Sequence, residues 1–156
     1  MIGDIVFVRT RSPISWLIRK LTNSKWSHIC VKMSDSFIIE SDFLKSVKVR
    51  RMEYRDFRLV HLNITDPERI RLVTFLLEQT SVKYDYGRIF GILANILGIS
   101  KNKNLWDSYN KLICSELVSQ GLTIINSPNI PETIAYAITP SDIANILLTD
   151  QIINAE

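Results

Sequence analysis

Cys114, His28 and Glu40 are the residues whose types and spacing could do covalent chemistry in this chain, and the chemistry would be thiol attack on a carbonyl. Cys114 stands in the run Asn110-Lys111-Leu112-Ile113-Cys114-Ser115-Glu116-Leu117-Val118. A cysteine at rest has a pKa near about 8.5, so a nucleophilic one needs a helix N-terminus, a neighbouring imidazolium, or both. A helix read over residues 114–120 offers the first. Only His28 and His61 can offer the second.

His28 lies on a predicted strand over residues 26–33, in which His28, Cys30 and Lys32 share one face and Ile29, Val31 and Met33 the other. A second strand, residues 37–41, follows the turn Ser34-Asp35-Ser36. If the hairpin turns through those three residues, Cys30 lies opposite Glu40 and His28 lies diagonal to it on the same face, within reach of a carboxylate–imidazole hydrogen bond. A two-residue turn would put His28 and Glu40 on opposite faces. The same register puts Phe37 and Ile39 on the core side with Ile29 and Val31. His61, inside Leu59-Val60-His61-Leu62, reads more simply as a residue at a sheet surface or edge.

Cys30 is the rival thiol. Residues two apart on a strand are separated by about 6.5–7 Å, too far for ready proton transfer from Cys30 to His28, so Cys30 is read as a small wall residue of the site. A metal site built from His28, Cys30, Glu40 and Cys114 finds no support, because neither a Cys-x-x-Cys nor a His-Glu-x-x-His spacing is present. No cofactor or metal is expected.

The elements that must position these residues begin with a buried strand, Ile5-Val6-Phe7-Val8. Ser12-Pro13 then supplies an N-cap and a proline at the first helical position, with Trp16, Leu17 and Leu21 on one side of the helix. Val47-Lys48-Val49 and Arg58-Leu59-Val60-His61-Leu62 read as two further strands, joined through a turn at Tyr54-Arg55-Asp56. Asp66-Pro67 opens a helix reaching about residue 80, with Ile70, Val73, Leu76 and Leu77 at helical spacing and Glu68 available as a cap. Further helices are expected over 86–97, 114–120 and 143–148, the last opened by Thr139-Pro140-Ser141-Asp142. Gly98 and Gly121 stand where helices would stop. Strands first and helices later argue an α+β fold, an antiparallel sheet packed by helices on one side.

At 156 residues and 46% hydrophobic, the chain can bury one proper core and forms a single domain over 1–156. Its net charge of +3 concentrates in Lys45, Lys48, Arg50, Arg51, Arg55 and Arg58, which read as a solvated strand edge; no nucleic-acid motif accompanies them. Two cysteines are too few for a disulfide framework, and the first residues resemble structure instead of a leader. The expectation is a chain kept in a reducing cytoplasm. The longest apolar stretch, 89–99, falls short of the roughly 20 residues that span a bilayer, which leaves only peripheral membrane contact open.

Taken together, Gly3-Asp4-Ile5-Val6-Phe7, Ser27-His28, Ile39-Glu40, Tyr84-Asp85, Cys114-Ser115-Glu116-Leu117-Val118 and Thr139-Pro140-Ser141-Asp142, in this order, resemble the circularly permuted NlpC-type branch of the papain-like cysteine hydrolases, particularly its YiiX-like members. The resemblance covers nearly the whole chain. It implies a papain-like sheet or partial barrel packed against helices, with His28 as general base and acid, Glu40 as its orienter and Cys114 as nucleophile. Tyr84 would line the substrate site, help to stabilise an oxyanion, or take a structural role. One departure stands out: the family commonly has glycine two residues after its histidine, where this chain has Cys30.

The expected activity is that of a cysteine hydrolase or acyltransferase with a thioacyl-enzyme intermediate, acting on a small-molecule, peptide or lipid substrate. A non-catalytic module that keeps the fold and holds a ligand or partner is the alternative. Substrate identity and oligomeric state are not legible in the sequence.

Overall fold

A computed structural model describes residues 1–41, 47–81, 114–137 and 139–153. Tyr84, Asp85, the helix expected over 86–97, Gly98 and the apolar stretch 89–99 lie outside the described residues. The architecture is mixed α+β: an antiparallel sheet of five strands and, among the described residues, four α-helices.

The strands are β1 (Ile5–Val8), β2 (His28–Lys32), β3 (Phe37–Ser41), β4 (Val47–Arg51) and β5 (Phe57–Val60), arranged β4-β3-β2-β1-β5. Each successive side chain changes face. Ile5, Phe7, Ile29, Val31, Ile39, Val47 and Val60 therefore point to one side, where they form the main core. Val6, Val8, Cys30 and Ile38 point to the other, where Met52, Tyr54 and Leu59 pack on them. Both faces of the sheet centre are buried, which is why Ile5-Val6-Phe7-Val8 is an unbroken apolar run. The basic residues Lys48, Arg50 and Arg51 fall on β4, an edge strand.

Helix α1 (Pro13–Leu21) starts as its sequence predicts: the amide of Ser15 donates to Oγ of the N-cap Ser12 at 3.1 Å, and Pro13 occupies the first turn. Helix α2 (Asp66–Glu78) is opened by a capping box, in which Thr65 and Glu68 satisfy each other's end groups. It continues as a single 3-10 turn, Gln79–Ser81. Val73 and Leu76 are buried as expected, but Arg69 and Leu72 complete the stripe in place of Ile70 and Leu77. A buried charge, Arg69, holds one position of the inward face; Ile70 is left 65% exposed.

Helix α3 (Cys114–Ile125) packs on α2 and lies against β2 and β3. It runs through Gly121 and ends at Asn126, which adopts φ 49°. Gly121 is thus not a stop. A Cβ there would lie 2.7 Å from Cδ1 of Leu72, so the glycine is what lets α2 and α3 approach. Helix α4 (Pro140–Ile153) extends well past the expected 143–148. Thr139 and Asp142 cap it reciprocally, Thr139 N–H to Asp142 Oδ2 at 2.8 Å and Asp142 N–H to Thr139 Oγ1 at 3.2 Å. A further 3-10 turn, Glu132–Tyr136, connects α3 to α4.

Gly3 and Asp4 tie the start of β1 to α2. Gly3 adopts φ 82°, a left-handed backbone that suits glycine. Asp4 is fully buried and accepts from Arg69 Nη1 at 2.9 Å and from the backbone amide of Leu62 at 3.4 Å. Arg69 also donates to the Ile2 carbonyl, so one guanidinium clamps β1, the end of β5 and α2 together.

Candidate active site

The hairpin β2–β3 pairs Val31 with Ile39 and Lys32 with Ile38. The amides of Met33 and Ser34 close it on the Phe37 carbonyl, so the turn is the three residues Ser34, Asp35 and Ser36. Continuing that register places Cys30 opposite Glu40 and His28 diagonal to it. Nε2 of His28 indeed lies 2.7 Å from Oε2 of Glu40. Ile39 joins Ile29 and Val31 in the core as expected, whereas Phe37 is 44% exposed, beyond the part of the sheet covered by that core.

Glu40 is fully buried and accepts three hydrogen bonds from side chains. Besides His28, the hydroxyl of Tyr54 donates to Oε2 at 2.8 Å and Nε of Arg50 donates to Oε1. Burial alone would favour the neutral acid; the hydrogen bonds from His28, Arg50 and Tyr54 outweigh it and hold the carboxyl down at about 2. The same cluster pushes the Tyr54 hydroxyl upward, through burial and then the Glu40 charge, so Tyr54 remains a donor. Arg50 stacks over the Tyr54 ring at 4.5 Å, and the Tyr54 ring meets His28 edge-on at 5.9 Å between centroids.

Cys114 is nearly buried, at 7% exposed, at the first described residue of α3. Residue 113 lies outside the described set, so the expected helix start near Cys114 falls on that boundary. The thiol lies close enough to His28 for the two to interact. Burial disfavours the imidazolium, but Cys114 and Glu40 together outweigh burial and lift the His28 pKa to about 10.

Three sequence-derived candidates, Cys114, His28 and Glu40, are therefore adjacent. Cys30 is fully buried, and its thiol faces the Val6 carbonyl at 3.7 Å. It lies opposite Glu40 in the β2–β3 register and, being fully buried, exposes no surface in this structure. Burial, then the charges of Glu40 and Cys114, push its thiol well above the ordinary range. His61 is occupied elsewhere, with Nδ1 2.7 Å from Oδ2 of Asp4. Tyr84 lies outside the described residues. Among the described residues no three His, Cys, Asp or Glu side chains converge to hold a metal ion.

Arg50 and Tyr54 were hidden in the sequence, the first in a basic stretch and the second in a turn. A signal for Arg50 does exist. Register pairs Ile38 with Arg50 and Glu40 with Lys48, so the buried acid and this arginine share one face of β3–β4, a pattern that calls for an ion pair. Tyr54 reaches the site from the β4–β5 connection, for which no periodicity speaks.

Ser27, next to His28, fixes where β2 enters the sheet. Its amide donates to the Val8 carbonyl at 3.1 Å, and its Oγ accepts from the Thr10 amide at 3.2 Å. No family model and no curated protein matches this chain.

Proposed function

We propose that this protein is a cysteine hydrolase or acyltransferase acting on an amide or ester carbonyl, with Cys114 as nucleophile, His28 as acid and base, and Glu40 as the group that orients His28. The observation that supports this reading is the contact of His28 with a buried, triply hydrogen-bonded Glu40, with the Cys114 thiol close enough to His28 to influence it. A buried ion network of this kind is costly to a fold unless fully satisfied, and its perturbed groups cluster where acid–base chemistry would need them.

In the proposed reaction the thiol proton is held by His28 while the sulfur forms a bond to the carbonyl carbon. The carbonyl π pair moves to oxygen, where a backbone amide at the start of α3 is the natural donor. Collapse of the tetrahedral adduct breaks the bond to the nitrogen or oxygen leaving group, which takes the proton from His28. The thioacyl-enzyme is then attacked by water or another acceptor hydroxyl or amine, whose proton passes to His28 as the C–S bond breaks and returns to the thiol. Glu40 stays ionised throughout and keeps Nε2–H pointed at itself.

Alkylation with limiting iodoacetamide at pH 6, read by mass spectrometry, tests the activated thiol. Cys114 labels and Cys30 does not, and His28→Ala slows the labelling. Equal modification of both cysteines, or of neither, would sink the reading. Survival of the biological effect in Cys114→Ala would instead favour a binding module that retains the fold.

A further inference from the structure

Helix α1 is inside out. Ser15 is buried, with hydrogen bonds to Ser12 and Thr10, and Arg19 donates from Nη1 to the Thr10 carbonyl at 2.6 Å. These polar side chains face the protein. Ile14, Trp16 and Leu17 face away from it, at 40%, 55% and 37% exposed. A surface helix in water normally does the reverse, and single exposed apolar residues need no explanation, but a cluster of three with one tryptophan on nine residues does.

The charged residues nearest this patch in sequence are of one sign; Arg9 and Lys32 at its two ends pair with Asp56 and Asp35. Between Asp4 and Asp35 the sequence has no acidic residue and six basic ones, Arg9, Arg11, Arg19, Lys20, Lys25 and Lys32. Arg11, Lys20 and Lys25 are exposed; Nζ of Lys20 lies 5.0 Å above the Trp16 ring and Nζ of Lys25 lies 5.0 Å above the Trp26 ring. Two copies of this patch in contact would juxtapose cations, which disfavours a symmetric dimer as the occupant. An anionic surface with an apolar layer behind it satisfies both halves of the pattern: aliphatic and indole groups enter the headgroup–acyl boundary while the ammonium and guanidinium ends remain at the phosphates. The cap at Ser12 and the proline at position 13 form the helix before contact, so no folding is required on binding.

We infer that α1 is an interfacial anchor that docks the protein on an anionic lipid bilayer through Ile14, Trp16 and Leu17, with Arg11, Lys20 and Lys25 at the lipid phosphates. The helix stands immediately ahead of the strand that carries His28, and Thr10 and Ser27 tie the two together. The docking is independent of thiol chemistry.

Co-sedimentation of the full chain with vesicles of phosphatidylcholine containing phosphatidylglycerol, against vesicles of phosphatidylcholine alone, tests it. The protein sediments with the anionic vesicles, and the emission of Trp16 shifts to the blue, a shift missing in Trp16→Phe. Each lysine near the surface is worth roughly fivefold in partition, so Lys20→Glu with Lys25→Glu lowers binding by at least about tenfold, as does Trp16→Ser with Leu17→Ser. Circular dichroism shows that both double variants keep the fold, since every changed side chain is exposed. Cys114→Ser binds like the unmodified protein, so failure of docking and failure of the proposed chemistry are separable. Absence of sedimentation with anionic vesicles overturns the inference, as does sedimentation equal in both double variants, or self-association that Trp16→Ser abolishes in place of vesicle binding.

Discussion

Nε2 of His28 meets Oε2 of Glu40 at 2.7 Å although the two residues are not opposite each other in the β2–β3 ladder. The contact is diagonal, made possible by the length of the glutamate and by a three-residue turn that keeps both on one face. Because Tyr54 shares Oε2 and Arg50 occupies Oε1, the carboxylate cannot rotate away. The ring orientation of His28 is thus supported by two residues, Arg50 and Tyr54, that hold its carboxylate partner.

Glu40→Gln keeps the shape of the side chain but loses the charge that supports the imidazolium. Iodoacetamide labelling of Cys114 at pH 6 is expected to slow by roughly 10–100-fold, with the fold retained in circular dichroism. A rate equal to that of the unmodified protein would remove Glu40 from the relay.

Tyr54→Phe deletes one hydroxyl and leaves the ring against His28 and Arg50 in place. A hydrogen bond to a buried charge is worth about 1.5–3 kcal/mol, and urea denaturation should register a loss of that size. Since Tyr54 helps to lower the Glu40 pKa, its removal raises that pKa toward the ordinary value of 4.5, and acid destabilisation sets in at a higher pH.

Stability as a function of pH has two limbs from this network. Glu40 is depressed from 4.5 to about 2, so its contribution is complete above 4.5 and disappears as pH falls through 2. A shift of that extent corresponds to something on the order of 3 kcal/mol for the network. His28 is raised from 6.5 to about 10, so its contribution is complete below 6.5 and disappears as pH rises through 10. Denaturant unfolding between pH 2 and pH 10 should show a plateau around pH 5–6 and a decline on either side. In Glu40→Gln the acid limb is expected to flatten.

The strands and the hairpin register were legible because alternation has a period of two and an error of one residue moves every side chain to the wrong face. Glu40 and His28 followed from that register. The proximity of Cys114 did not, since nothing local relates residue 114 to residue 28; the thiol was singled out by chemistry, and the packing of α3 on β2 and β3 brings the two together. On helix α2 the sequence points to Val73 and Leu76 but not to Arg69, because a buried arginine looks polar in a sequence and becomes interior only when a buried acid, Asp4, is present to receive it. Helix α3 was cut short at Gly121 because a glycine that stops a helix and one that admits a neighbouring helix are the same letter. For α1 the pattern of apolar residues was clear, but not that Ser15 and Arg19 would turn inward.

Asp4→Ala leaves the guanidinium of Arg69 buried beside no acid. Breaking a buried ion pair from one side costs about 3–5 kcal/mol, whereas replacing both partners by apolar residues recovers much of that loss. Urea denaturation of Asp4→Ala and of the double variant Asp4→Leu with Arg69→Met should rank in that order, the double variant being the more stable. Two equally destabilised variants would mean that Asp4 stabilises the fold mainly through the Leu62 amide and His61.

Gly121→Ala separates helix propensity from helix packing. In an exposed helix the change would be favourable by about 0.5–1 kcal/mol, since glycine loses more backbone freedom than alanine. Here the added methyl meets Cδ1 of Leu72 at 2.7 Å, so that buried side chain must shift, while the Phe75 and Leu76 side chains stay in ordinary contact at 3.5 Å. Overpacking of this kind costs about 1–3 kcal/mol, so the net effect is destabilising. Shortening the opposing side chain should relieve it: Leu72→Val is expected to harm the unmodified protein more than it harms Gly121→Ala, a coupling that a double-mutant cycle in urea measures directly. Simple additivity would place the two residues out of contact and return Gly121 to the role of an ordinary helix glycine.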